Sequence, residues 1–362
     1  MTVFTFLFLI GGLVLLVLGA DALVKGASRL ALALGISPII IGLTVVSYGT
    51  SAPELAVSTQ AAWVGQADLG VGNVVGSNIF NILFILGLSS IIVPLVVHTQ
   101  LIRIDVPVMI STAILFFLFV LDGQLAKWEA GILALGAILY TWFQIHLSRK
   151  EKKSALEQEF EAELSQEPRT GTAINIGWIL LGLVMLVLGS NWLVDSAITI
   201  ARTLGVSELI IGLTIVAIGT SLPEVATSVA AALKGERDIA VGNVVGSNIF
   251  NILTVLGIAG LVSPQPINVS NAAIAFDIPV MLAISVACFP IFFKGLEITR
   301  FRGALFFFYY IAYTLYLVLA HTKHDALSTF STAMWYFVLP FTVLTLIWYF
   351  IGGIKEWRAE AS

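Results

Sequence analysis

A thirteen-residue string, Val71-Gly72-Asn73-Val74-Val75-Gly76-Ser77-Asn78-Ile79-Phe80-Asn81-Ile82-Leu83, recurs without a change from Val241 to Leu253. Ahead of it lies a second shared string, Gly42-Leu43-Thr44 through Gly49-Thr50-Ser51-Ala52-Pro53-Glu54. Its later copy runs from Gly212-Leu213-Thr214 through Gly219-Thr220-Ser221-Leu222-Pro223-Glu224. Glu224 lies 170 residues beyond Glu54, and Asn251 the same 170 beyond Asn81, so neither copy has gained or lost a residue. A chain made of two copies of one unit is constrained to fold as two similar halves.

Composition decides the solvent those halves meet. With 58% hydrophobic and 11% charged residues and a mean hydropathy of +0.99, a water-soluble globule is excluded. A helix needs roughly 20 apolar residues to cross a hydrocarbon core of about 30 Å. Eleven segments qualify, centred near residues 12, 50, 82, 113, 138, 183, 220, 252, 283, 311 and 342. The fold class is therefore an all-α polytopic membrane protein. Ala20-Asp21-Ala22 resembles a small-x-small cleavage site, but no Lys or Arg precedes the first apolar run, so that segment is expected to be retained rather than cleaved as a signal peptide. Its repeat partner, Leu180-Leu181-Gly182 to Gly189-Ser190-Asn191, lies in mid-chain. Cys288 is the one cysteine, so no intramolecular disulfide forms.

The duplication reaches beyond the polar strings. Gly12 matches Gly182, Gly19 matches Gly189, and Gly35-Ile36-Ser37 matches Gly205-Val206-Ser207. At an offset of 172, Asp105-Val106-Pro107-Val108-Met109 matches Asp277-Ile278-Pro279-Val280-Met281. Each half then holds five spans, and an odd number makes the second half enter the membrane from the opposite side, the inverted repeat of many secondary transporters. The expected organisation is a first transmembrane repeat at 1–147, a cytoplasmic linker at 148–173, a second, inverted repeat at 174–322, and an accessory C-terminal transmembrane helix with its tail at 323–362. The linker carries Arg149, Lys150, Lys152 and Lys153 with six glutamates and Pro168, and a short helix is expected over 155–164. With the N-terminus outside, fifteen Lys and Arg fall on the inner side and three, Lys127, Arg202 and Lys323, on the outer side. The positive-inside bias thus places the linker and C-terminus in the cytoplasm, in a plasma (inner) membrane.

Pro53 and Pro223 fall inside apolar stretches, where proline removes the N–H that would bond the carbonyl four residues earlier. Those carbonyls belong to Gly49 and Gly219, and an unsatisfied backbone group in hydrocarbon costs several kcal/mol. A bound cation is expected to supply a partner. Glu54 and Glu224 follow the prolines directly, and a charged side chain at mid-bilayer costs at least about 2.5–3.5 kcal/mol, which points to function. Calcium takes six to eight oxygen ligands in flexible geometry. Two carboxylates, freed carbonyls and the oxygens of Thr50, Ser51, Thr220 and Ser221 suit it, and they suit sodium or protons as well. Ser77 and Asn81, like Ser247 and Asn251, are four apart on one helix face and are expected to complete the shell. Gly72, Gly76, Gly242 and Gly246 leave room for a close helix approach. Asp68, Asp238, Asp105 and Asp277 are expected to cap helix starts. The turns Gly65-Gln66 and Gly235-Glu236 need no further role. The four histidines lie near span ends or in loops, and a single Cys offers no soft-metal site.

At these strings the chain resembles the sodium/calcium exchanger family of the cation/calcium antiporter superfamily, in a prokaryotic-type form without a large regulatory loop. Gly-Thr-Ser-x-Pro-Glu and Gly-Ser-Asn-Ile-Phe-Asn, duplicated in inverted halves, are that family's alpha-repeat signature, and the resemblance covers about residues 1–322. It implies a ten-helix core with ion sites at mid-membrane between the second, third, seventh and eighth spans. It further implies that Glu54, Glu224 and the carbonyls of Thr50 and Thr220 ligate calcium. Ser51, Ser77, Ser221, Ser247 and the backbone at Ser47 and Ala217 would then ligate sodium, with Asn81 at the centre. Two departures stand out. Position 251 is Asn where the potassium-dependent branch carries Asp, which argues against potassium co-transport, and the eleventh span exceeds the usual core.

The expected function is a secondary antiporter that extrudes calcium in exchange for sodium by alternating access, the first and sixth spans sliding past the bundle. A proton/calcium exchanger is the nearest alternative and a cation channel a more distant one. No His-Glu-x-x-His, paired Asp-rich motif or nucleophile-base arrangement marks an enzyme. No cofactor and no nucleic-acid partner are expected. The partners are calcium, sodium and the lipid bilayer.

Overall fold

The computed structural model describes residues 3–148, 171–204 and 217–360. The helix expected over 155–164 and the strings at 205–207 and 212–214 lie outside the described residues. The long apolar helices are α1 (Val3–Leu34), α4 (Asp68–Ile92), α5 (Leu101–Asp122), α6 (Lys127–Leu147) and α7 (Thr172–Thr203), then α9 (Arg237–Val262), α10 (Ala273–Leu296), α11 (Arg300–His321) and α12 (Ala326–Arg358). Between α1 and α4, α2 (Pro38–Thr50) and α3 (Ala52–Trp63) meet at 47°. In the second half a helical turn, Ala217–Gly219, leads into α8 (Leu222–Leu233). Taking α2 with α3 as one bent span, ten of the eleven positions expected from the sequence hold helices long and apolar enough to cross a membrane, and near the remaining one, residue 220, the described residues form the shorter apolar helix α8.

The bend follows from the proline. Pro53 stands in the first turn of α3 and Pro223 in the first turn of α8, where a missing N–H forfeits no intrahelical bond. The chain therefore ends one helix and begins another there. Ser51 (φ −85°, ψ 10°) and Ser221 (φ −91°, ψ 7°) are the matched joints.

Two observations establish that the halves are inverted. First, α1 and α7 are repeat equivalents and pack antiparallel along each other. A Cβ built on Gly12 would lie 2.7 Å from the Gly189 carbonyl oxygen, and one on Gly19 would lie 2.9 Å from that of Gly182. Gly12 thus meets the equivalent of Gly19, and Gly19 the equivalent of Gly12, as a two-fold requires. Second, the short strand β1 (Leu95–Val96), between α4 and α5, pairs antiparallel with β4 (Glu297–Ile298), between α10 and α11. In the same way β2 (Gln124–Leu125), between α5 and α6, pairs with β3 (Ile267–Asn268), between α9 and α10. The one span separating β1 from β2 puts the two ribbons on opposite faces, so the repeat equivalents β1 and β3 also stand on opposite faces.

Helices α4 and α9, which carry the thirteen-residue string, form the centre. Their apolar windows are 72% and 83% buried, against no more than 39% in any other long helix of the described residues. Gly242 and Gly246 on α9 press against α2, where a Cβ would come within 2.9 Å of the Ile39 oxygen and 2.6 Å of the Leu43 oxygen. The positions that would correspond for Gly72 and Gly76, 209 and 213, lie outside the described residues. At the periphery α12 packs on α10, away from the two central helices.

Several sequence expectations are corrected. Gln66 and Glu236, rather than Asp68 and Asp238, hold the N-cap positions, and the aspartates fall inside the first turn, where their charge complements the helix dipole. Asp105 and Asp277 cap nothing, because helices α5 and α10 run through them. Asp105 is fully buried and accepts hydrogen bonds from Tyr140 Oη at 2.9 Å, Gln100 Nε2 at 3.2 Å and the Gln144 amide. Asp277 accepts one from Tyr313 Oη at 2.8 Å.

Glu236 also does more than close a turn. It is buried, and its Oε1 accepts a 2.8 Å hydrogen bond from Ser28 Oγ on α1. Lys234 forms an ion pair with Asp21 on the same helix. Burial pushes the Glu236 carboxyl up to about 7, with the Asp238 charge adding to the rise while the Ser28 hydroxyl and the Lys234 ammonium oppose it. Gly65 and Gly235 take φ of +80° and +83° in their turns, a conformation that favours glycine.

Candidate ion site

The broken helices and the two central helices bring their polar residues to one buried place. Glu54 and Glu224 are each 1% exposed and lie within Coulombic reach of each other. Each carboxylate is held by a serine from the opposite repeat. Ser221 Oγ donates to Glu54 Oε1 at 3.0 Å, and Ser51 Oγ donates to Glu224 Oε1 at 2.7 Å. Ser77 Oγ lies 3.1 Å from Ser221 Oγ and 3.5 Å from Glu54 Oε1. Because Ser51 and Ser221 are the joints of the bent spans, the same break that opens the helix turns their hydroxyls across the two-fold.

The threonines beside them are held crosswise too. Thr50 Oγ1 donates to Asn243 Oδ1 at 3.2 Å, and Thr220 Oγ1 donates to Asn73 Oδ1 at 3.3 Å. Each asparagine in turn donates to a serine of its own half, Asn73 Nδ2 to Ser58 Oγ at 3.1 Å and Asn243 Nδ2 to Ser228 Oγ at 3.0 Å. Thr50 and Thr220 hydroxyls are thus occupied, while their backbone stays at the helix break.

Asn81 and Asn251 begin matched π-helical turns, Asn81–Leu86 and Asn251–Leu256. Such widened turns recur at functional sites because they leave the regular hydrogen-bond ladder. Asn81 Nδ2 donates to Asn248 Oδ1 at 3.1 Å, and Asn251 Nδ2 donates to Asn78 Oδ1 at 3.0 Å.

Oxygen atoms remain over. Glu54 Oε2, Glu224 Oε2, Asn81 Oδ1, Asn251 Oδ1 and Ser247 Oγ are buried side-chain atoms without a hydrogen-bond partner. Buried polar groups are nearly always satisfied, so open acceptors on two buried carboxylates and on the polar residues of the central helices are what a hard cation would complete. No group of three His, Cys, Asp or Glu side chains converges among the described residues. Two carboxylates with neutral oxygens are therefore the donor set on offer.

Of the sequence-derived residues, Ser221, Glu54 and Ser77 form one hydrogen-bonded group and Ser51 with Glu224 another. Thr50 and Thr220 bond Asn243 and Asn73, Asn81 and Asn251 bond Asn248 and Asn78, and Ser247 sits fully buried on α9. The Ser47 hydroxyl is spent on its own helix, donating to the Leu43 carbonyl at 2.8 Å. Ala217 opens the short turn ahead of Gly219. The Gly219 carbonyl freed by Pro223 receives a 2.7 Å hydrogen bond from Ser190 Oγ on α7, so a side chain gives it a partner within the protein. The repeat equivalent of Ser190 is Ala20, which has no hydroxyl to offer Gly49.

Sequence reasoning passed over Asn73, Asn243, Asn78, Asn248, Ser58 and Ser228. Their signal was present, since all recur at the 170-residue offset.

The sodium/calcium exchanger protein family matches the chain over residues 4–146 and 174–319. Sodium/calcium exchanger MaX1 of Methanosarcina acetivorans is 35% identical over 344 residues, covering 86% of this chain and 98% of that protein. Inner membrane protein YrbG of Escherichia coli is 42% identical over 279 residues, covering 77% and 85%. A solved structure of the sodium-calcium exchanger NCX_Mj superposes with a TM-score of 0.73 at 30% identity, covering 86% of this chain and 98% of that one. With its inverted helical halves and its buried pair of glutamates, this integral membrane chain belongs to the sodium/calcium exchanger family of cation/calcium antiporters.

Proposed function

We propose that the chain exports calcium in exchange for sodium, independently of potassium, by alternating access. The observation that carries this reading is the pair of buried glutamates, each held by a serine of the opposite repeat, with Glu54 Oε2 and Glu224 Oε2 left as open acceptors. One calcium ion balances the two glutamate charges, and sodium ions replace it at overlapping positions. Glu54, Glu224 and the carbonyls of Thr50 and Thr220 serve calcium. Ser51, Ser77, Ser221, Ser247 and the backbone at Ser47 and Ala217 serve sodium, with Asn81 and Asn251 between them. The hydroxyl oxygens favour sodium over protons, because neutral oxygens add to sodium coordination and do nothing for a protonated carboxyl. The neutral amide at Asn251 supports potassium independence.

Exchange follows from electrostatics. An empty site would hold two carboxylates in low dielectric, a costly state, so the bundle switches exposure only when cations are bound. The switch is a slide of α1 and α7, held to each other by their glycine-lined contact, past the other helices. The first repeat is 1–147, the linker 148–173, the second repeat 174–322 and the accessory segment 323–362. The charge bias supports an N-terminus outside and a cytoplasmic linker and C-terminus in the inner membrane. No enzymatic step is involved.

Purified protein in liposomes tests the proposal. An outward-directed sodium gradient is expected to drive uptake of radiolabelled calcium without potassium, and Glu54→Gln is expected to abolish it. Calcium flux that follows a pH gradient and ignores sodium would establish proton exchange instead, and undiminished flux in Glu54→Gln would remove the assigned site.

A further inference from the structure

An asparagine amide presents an acceptor at one end and a donor at the other, so its value to a cation depends on which end faces the site. We infer that Asn78 and Asn248 are positioning residues that hold the amides of Asn251 and Asn81 with their oxygens toward the ions. The inference rests on the proposed ion-binding role of Asn81 and Asn251.

The geometry forms two crossed chains. Asn251 Nδ2 is engaged by Asn78 Oδ1 at 3.0 Å, and Asn81 Nδ2 by Asn248 Oδ1 at 3.1 Å. The remaining ends, Asn251 Oδ1 and Asn81 Oδ1, are the buried acceptors without a donor. Asn78 is itself oriented, because its Nδ2 donates to the Asn248 backbone carbonyl at 3.3 Å and faces Met281 Sδ at 3.6 Å. Asn248 Nδ2 faces Met109 Sδ at 3.6 Å. A thioether accepts and never donates, so turning either of these amides over would set oxygen against sulfur on one side and nitrogen against nitrogen on the other. All four asparagines are 1% exposed, and Met109 and Met281 are 1% and 0% exposed, so water is not at hand to compensate a turned amide.

Orientation therefore passes inward from α5 and α10 through the central helices. Met109 sets Asn248, which sets Asn81; Met281 sets Asn78, which sets Asn251. With this relay broken, the amide of Asn251 or Asn81 is free to turn its NH2 toward the site, where two donor hydrogens would repel a cation.

A background swap separates orientation from mere packing. Asn78→Leu keeps the side-chain size and removes the acceptor, and is expected to raise the half-saturating calcium concentration of sodium-driven flux by up to about tenfold, as for one neutral hydrogen bond. A carboxylate accepts at both oxygens and needs no orienting, so in an Asn251→Asp background the same Asn78→Leu change is expected to move half-saturation by less than about twofold. Equal losses in the two backgrounds, or no loss in either, would overturn the inference. Should Asn78→Leu fail to accumulate as a monodisperse protein, Met281→Leu, a volume-conserving change, is read in the same two backgrounds. Its loss is expected only where Asn251 is present, and equal behaviour again overturns the inference. Absence of sodium-driven calcium flux in the unmodified protein would instead refute the proposed function, so the two failures are distinct.

Discussion

The contact between α1 and α7 is a place where one added methyl group should have a large measurable effect. A Cβ on Gly19 would sit 2.9 Å from the Gly182 oxygen, the Leu186 nitrogen and the Met185 Cβ together. Carbon atoms settle at about 3.5–4.0 Å, so Gly19→Ala must move the helices apart by more than about 0.5 Å or bend one of them. Overpacking of this kind costs about 1–3 kcal/mol, which is about 5- to 140-fold in an equilibrium. In a membrane the loss is felt directly, because helix association there depends on close packing. Gly177, also on α7, is the internal control: a Cβ there meets no described atom within 4 Å, so Gly177→Ala should change stability by no more than about 1 kcal/mol. Unfolding by a denaturing detergent, followed by circular dichroism, measures the first effect, and the rate of calcium exchange in liposomes measures its consequence for transport. If Gly19→Ala proves as mild as Gly177→Ala in both assays, the tight-packing account of this helix pair is wrong.

Further outcomes follow from the same geometry. Ser51→Ala removes the 2.7 Å donor to Glu224 and should weaken apparent calcium affinity by about 10- to 150-fold, the equivalent of about 1.5–3 kcal/mol for a bond to a charged group; flux titrations with unaltered half-saturation would contradict it. Ser190→Ala leaves the Gly219 carbonyl without its cap and should lower stability by about 1–2 kcal/mol, read in the same detergent titration, whereas Ala20→Gly in the other half deletes no such bond. For Glu236, the folded carboxyl lies near 7, above its ordinary 4.5, so the fold favours the neutral form. Its contribution to stability is fully present below about pH 4.5 and is lost as pH rises through 7. The melting temperature should fall across that window, and Glu236→Gln should flatten the fall; an identical pH profile in the variant would rule the carboxyl out as its source.

Much of this architecture was legible because its causes are local. Eleven apolar runs of sufficient length, the matched prolines Pro53 and Pro223 and a string repeated at constant offset are properties of the chain alone, and the bilayer turns them into spans, breaks and an inverted pair. Glu54, Glu224, Ser51, Ser221, Ser77, Asn81 and Asn251 stood out as candidates for the same reason, since polar side chains in hydrocarbon demand partners wherever they lie. Partner choice was not legible. Ser51 answers Glu224 rather than Glu54, Thr50 answers Asn243, and Asn81 answers Asn248, because the two-fold brings each residue against the opposite copy at separations far longer than any helical period. Ser190 capping Gly219, and Asp105 among Tyr140, Gln100 and Gln144, likewise depend on which helices lie side by side. By itself the sequence determined how often the chain crosses the membrane, where it breaks and which residues are too polar to be idle. Tertiary structure alone decided which oxygens are consumed within the protein and which stay open, because hydrogen bonding is a matter of distance in space and not along the chain.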